Sequence, residues 1–111
     1  MTYDPELADR VRSALEDEPG LSERQMFGGL AFLVHGNLAV SASSRGGLMV
    51  RVDPLRAGQL LTEDGVEPFS MHGRSMRGWL AVGADVIAAD DDLRRWVDHG
   101  VGHARGLPPK G

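Results

Sequence analysis

The chain has 111 residues, of which 41 % are hydrophobic and 25 % charged, and none is cysteine. One domain of that length buries a genuine core without staples, and disulfides, thiolate metal sites and a cysteine nucleophile are excluded. A formal net charge of −4 slows approach to phosphate backbones, which weighs against direct nucleic-acid binding except through a local basic patch.

The N-terminus, Met1-Thr2-Tyr3-Asp4-Pro5-Glu6, has neither the basic nor the apolar region of a signal peptide, and the longest apolar run, Leu30-Ala31-Phe32-Leu33-Val34, is too short to span a bilayer. The expectation is a cytoplasmic protein with no membrane partner. Asp4 suits a helix cap, Pro5 the first helical position and Glu6 the positive dipole end. Leu7, Val11, Ala14 and Leu15 then form a one-sided apolar stripe, and Pro19-Gly20 ends it, so the first helix runs from about residue 5 to about residue 17.

A strand-rich block follows. Gln25 to Val34 holds an apolar run in which Gly28-Gly29 signals a bulge, a bend or a close backbone approach. His35-Gly36-Asn37 reads as a hairpin turn, Leu38, Val40 and Ala42 as the returning strand, and Ser43 to Gly47 as a second turn. Leu48, Val50 and Val52 alternate with Met49 and Arg51, a strand with one buried face. Three sequential strands joined by short turns imply an antiparallel meander.

Asp53-Pro54 repeats the capping signature and predicts a short helix with Leu55, Leu60 and Leu61 inward, closed by Gly65. Glu67 to Gly78, broken by Pro68, Gly73 and Gly78, reads as a loop containing one short strand, and Trp79 to Val82 as another strand. Asp85 to Ala89 suits a single helical turn. The last helix runs from about 91 to about 105, with Asp90 or Asp91 at its start and Leu93, Trp96, Val97, Val101 and Ala104 inward. Gly106 and Pro108-Pro109 stop it, leaving residues 107–111 as a mobile tail. The whole reads as an α+β domain over residues 1–106, a two-layer sandwich with helices packed on an antiparallel sheet in the order α-β-β-β-α-β-α.

Several fixed points have a familiar order: Met26-Phe27-Gly28-Gly29, the His35-Gly36-Asn37 turn, Leu48-Met49-Val50-Arg51-Val52-Asp53, Gly65-Val66-Glu67-Pro68-Phe69, Met76 to Leu80, Leu93-Arg94-Arg95-Trp96-Val97 and Leu107-Pro108-Pro109-Lys110. Over nearly the whole chain this pattern resembles the TfoX N-terminal domain family, which includes regulators of bacterial natural competence also called Sxy. No single element is specific; Met26 to Gly29 is the best of them, and their concurrence carries the resemblance. The resemblance implies the same α+β sandwich, a regulatory role, and no enzymatic residues to carry over. Full-length competence regulators also have a C-terminal helical domain, so the expectation here is a stand-alone N-domain.

Two features could carry chemistry. His99 and His103 lie four apart on the last predicted helix, so their imidazoles project from neighbouring turns on one side. Such a pair suits zinc if His72 or Asp92 adds a ligand; the bland alternative is two half-buried histidines near a helix C-terminus. The second is the segment Phe69 to Trp79. Its Met71, His72, Arg74, Met76 and Arg77 are of the types enriched at interfaces, while Phe69, Met71 and Trp79 could equally be core. Gly28-Gly29 lacks the Walker lysine and the Rossmann spacing, the serines lack a nucleophile elbow, and Asp90-Asp91-Asp92 suits a helix start better than a cation site.

The leading functional expectation is a non-enzymatic regulatory or adaptor domain that binds a protein partner. The alternatives are a zinc-binding domain using His99 and His103, and an enzyme with an unrecognised pocket. Direct DNA binding ranks lower, since Arg10, Arg12, Arg24 and Arg94-Arg95 form no basic stripe. Homodimerisation through a sheet edge, at the strand near Gln25 or the one near Trp79–Val82, is left open.

Overall fold

The computed structural model describes residues 3–26, 28–43, 46–71 and 73–110, and of Met71 the backbone alone. Helix α1 (Pro5–Ala14) begins as its sequence requires: the Asp4 carboxylate accepts from the N–H groups of Glu6 at 3.0 Å and Leu7 at 3.3 Å. Its apolar stripe, Leu7, Ala8, Val11 and Leu15, is buried. The strands β1 (Leu21–Met26), β2 (Gly29–Val34), β3 (Asn37–Ser43) and β4 (Leu48–Arg51) follow as an antiparallel meander. Next come α2 (Pro54–Leu60), the hairpin β5 (Val66–Met71) and β6 (Arg74–Val82), and α3 (Asp90–Arg105).

The six strands form one antiparallel sheet in the order β1-β2-β3-β4-β6-β5. The α+β sandwich and its order of helix and strand blocks are as expected, but the blocks divide more finely. The Gly28-Gly29 pair is a turn inside the first block: Gly28 adopts φ 72° between paired Met26 and Gly29. Gly29 lies so close to β3 that a Cβ there would stand 2.2 Å from the Ala42 carbonyl oxygen.

The segment expected to be mostly loop is instead the β5–β6 hairpin. Its apparent breakers fit the sheet. Pro68, which has no N–H to donate, sits on an edge strand. Gly73 lies in the connection, at φ 77°, and the Gly78 carbonyl accepts from Val52 N–H at 2.7 Å. The strand holding Trp79 to Val82 is therefore interior, and of the two edges considered from sequence only the one near Gln25 stands. That edge, β1, presents Ser22, Glu23, Arg24 and Gln25 to solvent, a composition that discourages strand addition.

The helices share one face of the sheet. Phe32, Val40, Val50 and Leu80 from the strands meet Val11, Leu60, Leu93, Trp96, Val97 and Val101 from the helices in one core. In α2, Leu60 is buried and Leu61 partly so, but Leu55 is 85 % exposed rather than inward. Seven residues make under two turns, too few for both ends of the helix to face the core. Helix α3 has no side-chain cap at Ala89; Asp90, Asp91 and Asp92 occupy its first turn, where the dipole favours them. Arg10 of α1 braces that start, donating to the Ile87 carbonyl at 2.8 Å and to Asp90.

Beyond α3, the Asn37 side chain donates to the Pro108 carbonyl at 2.9 Å and Lys110 N–H to the His35 carbonyl at 2.7 Å. Among the described residues no helix is long and apolar enough to cross a membrane.

Candidate functional site

A strand sends alternate side chains to opposite faces, so the residues between those of the main core face away from the helices. They are Arg24 and Met26 of β1, Ala31 and Leu33 of β2, Leu38 and Ser41 of β3, Met49 and Arg51 of β4, Trp79 and Ala81 of β6, and Glu67 and Phe69 of β5. Ala31, Leu33, Leu38 and Met49 are buried together, with Met26, Phe69 and Trp79 half-buried around them. No described helix residue joins this second cluster. The larger side chains cover the smaller ones within the sheet, and the outer surface of Met26, Phe69 and Trp79 stays in contact with water.

The aromatic pair sits toward the β5 edge of this open face. Phe69 and Trp79, on neighbouring strands, have ring centroids 6.2 Å apart. Arg51, opposite Trp79 in the β4–β6 register, holds its guanidinium 5.8 Å from the indole centroid, within the range of cation–π attraction. A shallow cavity of about 390 Å³ opens beside Phe69, floored by Met49 and Ala81 and flanked by Ser43 and Glu67. Arg24 and Arg51 put two positive charges around the apolar patch against one negative charge from Glu67, on a chain whose net charge is negative.

The five residues expected to bind a partner do not act as one loop. Exposed Arg74 stands at the hairpin tip, paired with Met71. Met76 and exposed Arg77 line a groove with Ala57 and Leu61 of α2. His72 lies outside the described residues. Sequence reading missed Arg51, Met49, Met26, Leu33 and Leu38; period-two spacing between core residues would have found Met49 and Arg51.

His99 and His103 line a different concavity, of about 530 Å³, between α2 and the C-terminal half of α3. Val52, Leu60 and Leu107 supply its apolar walls, Asp53, Arg56 and Asp98 its charges, and Gly102 and Gly106 bare backbone. Desolvation holds the proton affinity of both imidazoles below the ordinary value, helped by Arg95 and Arg56 at His99 and by Arg51 at His103. Both are therefore neutral at pH 7. The His99 ring packs 5.3 Å from that of Trp96. Among the described residues no group of three or more His, Asp or Glu side chains is placed to hold a metal.

Ion pairs tie the helices to their surroundings away from both concavities. Arg12 forks onto Glu23 at 2.8 and 2.9 Å and also reaches Asp9. Arg95 pairs with Glu63, and Arg105 with Glu18. Hydrogen bonding from these guanidinium groups holds the carboxyls of Glu18, Glu23 and Glu63 below the usual carboxylate range.

The family model described as TfoX N-terminal domain matches residues 13–104, a span that includes the whole sheet, α2 and nearly all of α3. No curated protein matches the chain.

Proposed function

This chain belongs to the TfoX N-terminal domain family, and on that premise we propose that it is a non-enzymatic adaptor that docks a protein partner on the helix-free face of its sheet. The family is regulatory and is not a known enzyme family. The observation that carries the reading is the second apolar cluster, with Phe69 and Trp79 half-buried on a face no described helix covers. An exposed aromatic and methionine patch within a polar surround marks an association surface.

The basic surround points to the partner's chemistry. An apolar segment flanked by acidic side chains would place its hydrophobic groups on Met26, Met49, Phe69 and Trp79 and its carboxylates near Arg24 and Arg51. Arginine and tryptophan are the residue types that most often dominate binding energy. The same reading keeps the domain at work in the cytoplasm.

The test is site-specific photocrosslinking in the native cell, with the probe at position 67 on the open face and, as a control, at exposed position 94 on α3. The expected result is a defined protein adduct from position 67 alone, lost in Trp79→Ala and in Arg24→Glu/Arg51→Glu while the unfolding midpoint of the charge variant stays near that of the parent. Equal adducts from both positions, or an adduct indifferent to these substitutions, would reject the face as the docking site.

A further inference from the structure

We propose that the concavity between α2 and α3 is a binding site for a small monocarboxylic acid bearing a hydroxyl or amino group, held by the Arg56 guanidinium and the ring nitrogens of His99 and His103. This site is separate from the open face of the sheet, and its argument does not depend on partner docking.

Three observations converge there. The first is size and lining. A cavity of about 530 Å³ lies within the range that small ligands occupy, and its lining sets three apolar side chains against five polar or charged ones, which suits a ligand with one apolar and one polar end. Val52, Leu60 and Leu107 accept an aliphatic body. At Gly102 a Cβ would meet nothing within 4 Å, so there is room for ligand atoms against the helix backbone.

The second is the state of Arg56. Arg10, Arg12, Arg95 and Arg105 are each ion-paired with a carboxylate of the protein. The guanidinium of Arg56, exposed at the cavity wall, makes no hydrogen bond or ion pair to any described residue. A guanidinium fork left over beside a cavity matches the two oxygens of a carboxylate.

The third is the charge pattern, which selects among ligands. Both carboxylates at the cavity, Asp98 and Asp53, which caps α2 by accepting from Leu55 N–H at 2.9 Å, oppose a second negative charge on the ligand, so a monoanion is favoured over phosphate or a tricarboxylate. A neutral imidazole donates from one nitrogen and accepts at the other, which suits a hydroxyl or amino substituent beside the carboxylate. Zinc fits less well. Among the described residues no third ligand is placed to join the two histidines on a metal, and Arg56 and Arg95, which suppress protonation of His99, repel a divalent cation by the same Coulomb force.

The experiment is an NMR titration of the labelled protein with 2-hydroxyisovalerate, leucine, isovalerate, citrate, inorganic phosphate and zinc chloride in parallel. The expected result is saturable shifts of the Gly102, Gly106 and Leu107 amides and of both imidazoles with 2-hydroxyisovalerate or leucine. Citrate and phosphate should be weaker. Arg56→Gln, at an exposed position, should weaken binding about tenfold or more, the equivalent of one lost charge-assisted hydrogen bond. Gly102→Leu, which fills the open space and keeps Arg56, should abolish it, and Trp79→Ala should leave it unchanged. Absence of saturable shifts with every acid, equal affinity in Arg56→Gln, or zinc as the only saturating species would each overturn the proposal.

Discussion

The two faces of this sheet are built from the same strands and teach different lessons. On the helix-covered face, Phe32, Val40, Val50 and Leu80 meet fully buried Trp96 and Val97, and the backbones come close enough that position 100 must be glycine. On the other face, Ala31, Leu33, Leu38 and Met49 are just as dry, yet only neighbouring side chains of the same sheet shield them. The first arrangement is held in place by a second layer. The second would bury still more apolar surface if another molecule supplied that layer. A helix-covered face serves stability, whereas an apolar face without a cover is available for association.

The two tryptophans put that contrast to the largest test. Trp96 is 0 % exposed, so Trp96→Ala should cost about 4 kcal/mol, as for other deletions of buried aromatics. Part of that loss is offset, because the buried Nε1 has no hydrogen-bond partner among the described residues and its removal relieves a desolvated donor. Trp79 lies half-buried on the open face, and Trp79→Ala should cost about 1 kcal/mol, since much of its surface never left water. Equilibrium denaturation of both variants measures the difference. Equal losses would mean that something covers the second face in solution even without a partner.

Gly100→Ala probes the covered face from the backbone side. The added Cβ would stand 2.4 Å from the Ala39 carbonyl oxygen and 2.8 Å from Val40 Cγ1. Neither a strand carbonyl nor a packed valine yields easily, so α3 must lift off the sheet, at a cost of about 3 kcal/mol. The unfolding midpoint should fall accordingly, while Arg24→Ala on the open face should leave it nearly unchanged.

How much of this was legible in the sequence depended on whether a local rule survived the fold. Asp4-Pro5 and Asp53-Pro54 announce helix starts because capping is a contact within one turn, and every residue named for the inner face of α3 is buried there. The β5–β6 hairpin was hidden because Pro68 and Gly78 read as breakers until one knows which strand is an edge and which backbone passes close by. The open face was hidden for another reason. Leu30 to Val34 is apolar at every position, so alternation cannot show that Ala31 and Leu33 point away from Phe32. Of the seven expected site residues, His99 and His103 belong to the cavity, while Met76 and Arg77 line a groove against α2. Arg56 carries no motif at all. Only the packing of α2 against the sheet brings it beside His99.

Acid should act mainly on the helix layer. Burial, with Arg95 and Arg56, depresses His99 despite Glu63 and Asp98, and burial with Arg51 depresses His103 despite Asp53. A group whose folded pKa lies below its unfolded value binds protons more tightly when unfolded, so its contribution to stability is present above 6.5 and declines as pH falls through the folded value. Glu18, Glu23 and Glu63 act in the same direction lower down, below 4.5, though each is a surface pair of small worth. Stability measured against pH should therefore fall in two stages on acidification. His99→Gln/His103→Gln should flatten the upper stage and leave the lower one. A variant with both stages intact would remove the histidines from the account.

The smallest effect offers the cleanest contrast, because it uses one helix and one kind of substitution. Gly102 stands two residues beyond Gly100 on α3, but there an added Cβ meets nothing within 4 Å. With no clash to set against it, Gly102→Ala should gain helix propensity and reduce the entropy of the unfolded chain, stabilising the domain by about 0.5–1 kcal/mol. The same change at position 100 carries the same propensity gain and loses it several-fold to the Ala39 carbonyl. Paired denaturation curves would give shifts of opposite sign if helix-to-sheet distance alone decides the outcome. Destabilisation at both positions would mean that the wall of the α2–α3 cavity is more closely packed than the backbone spacing indicates, and would remove the room that a ligand there requires.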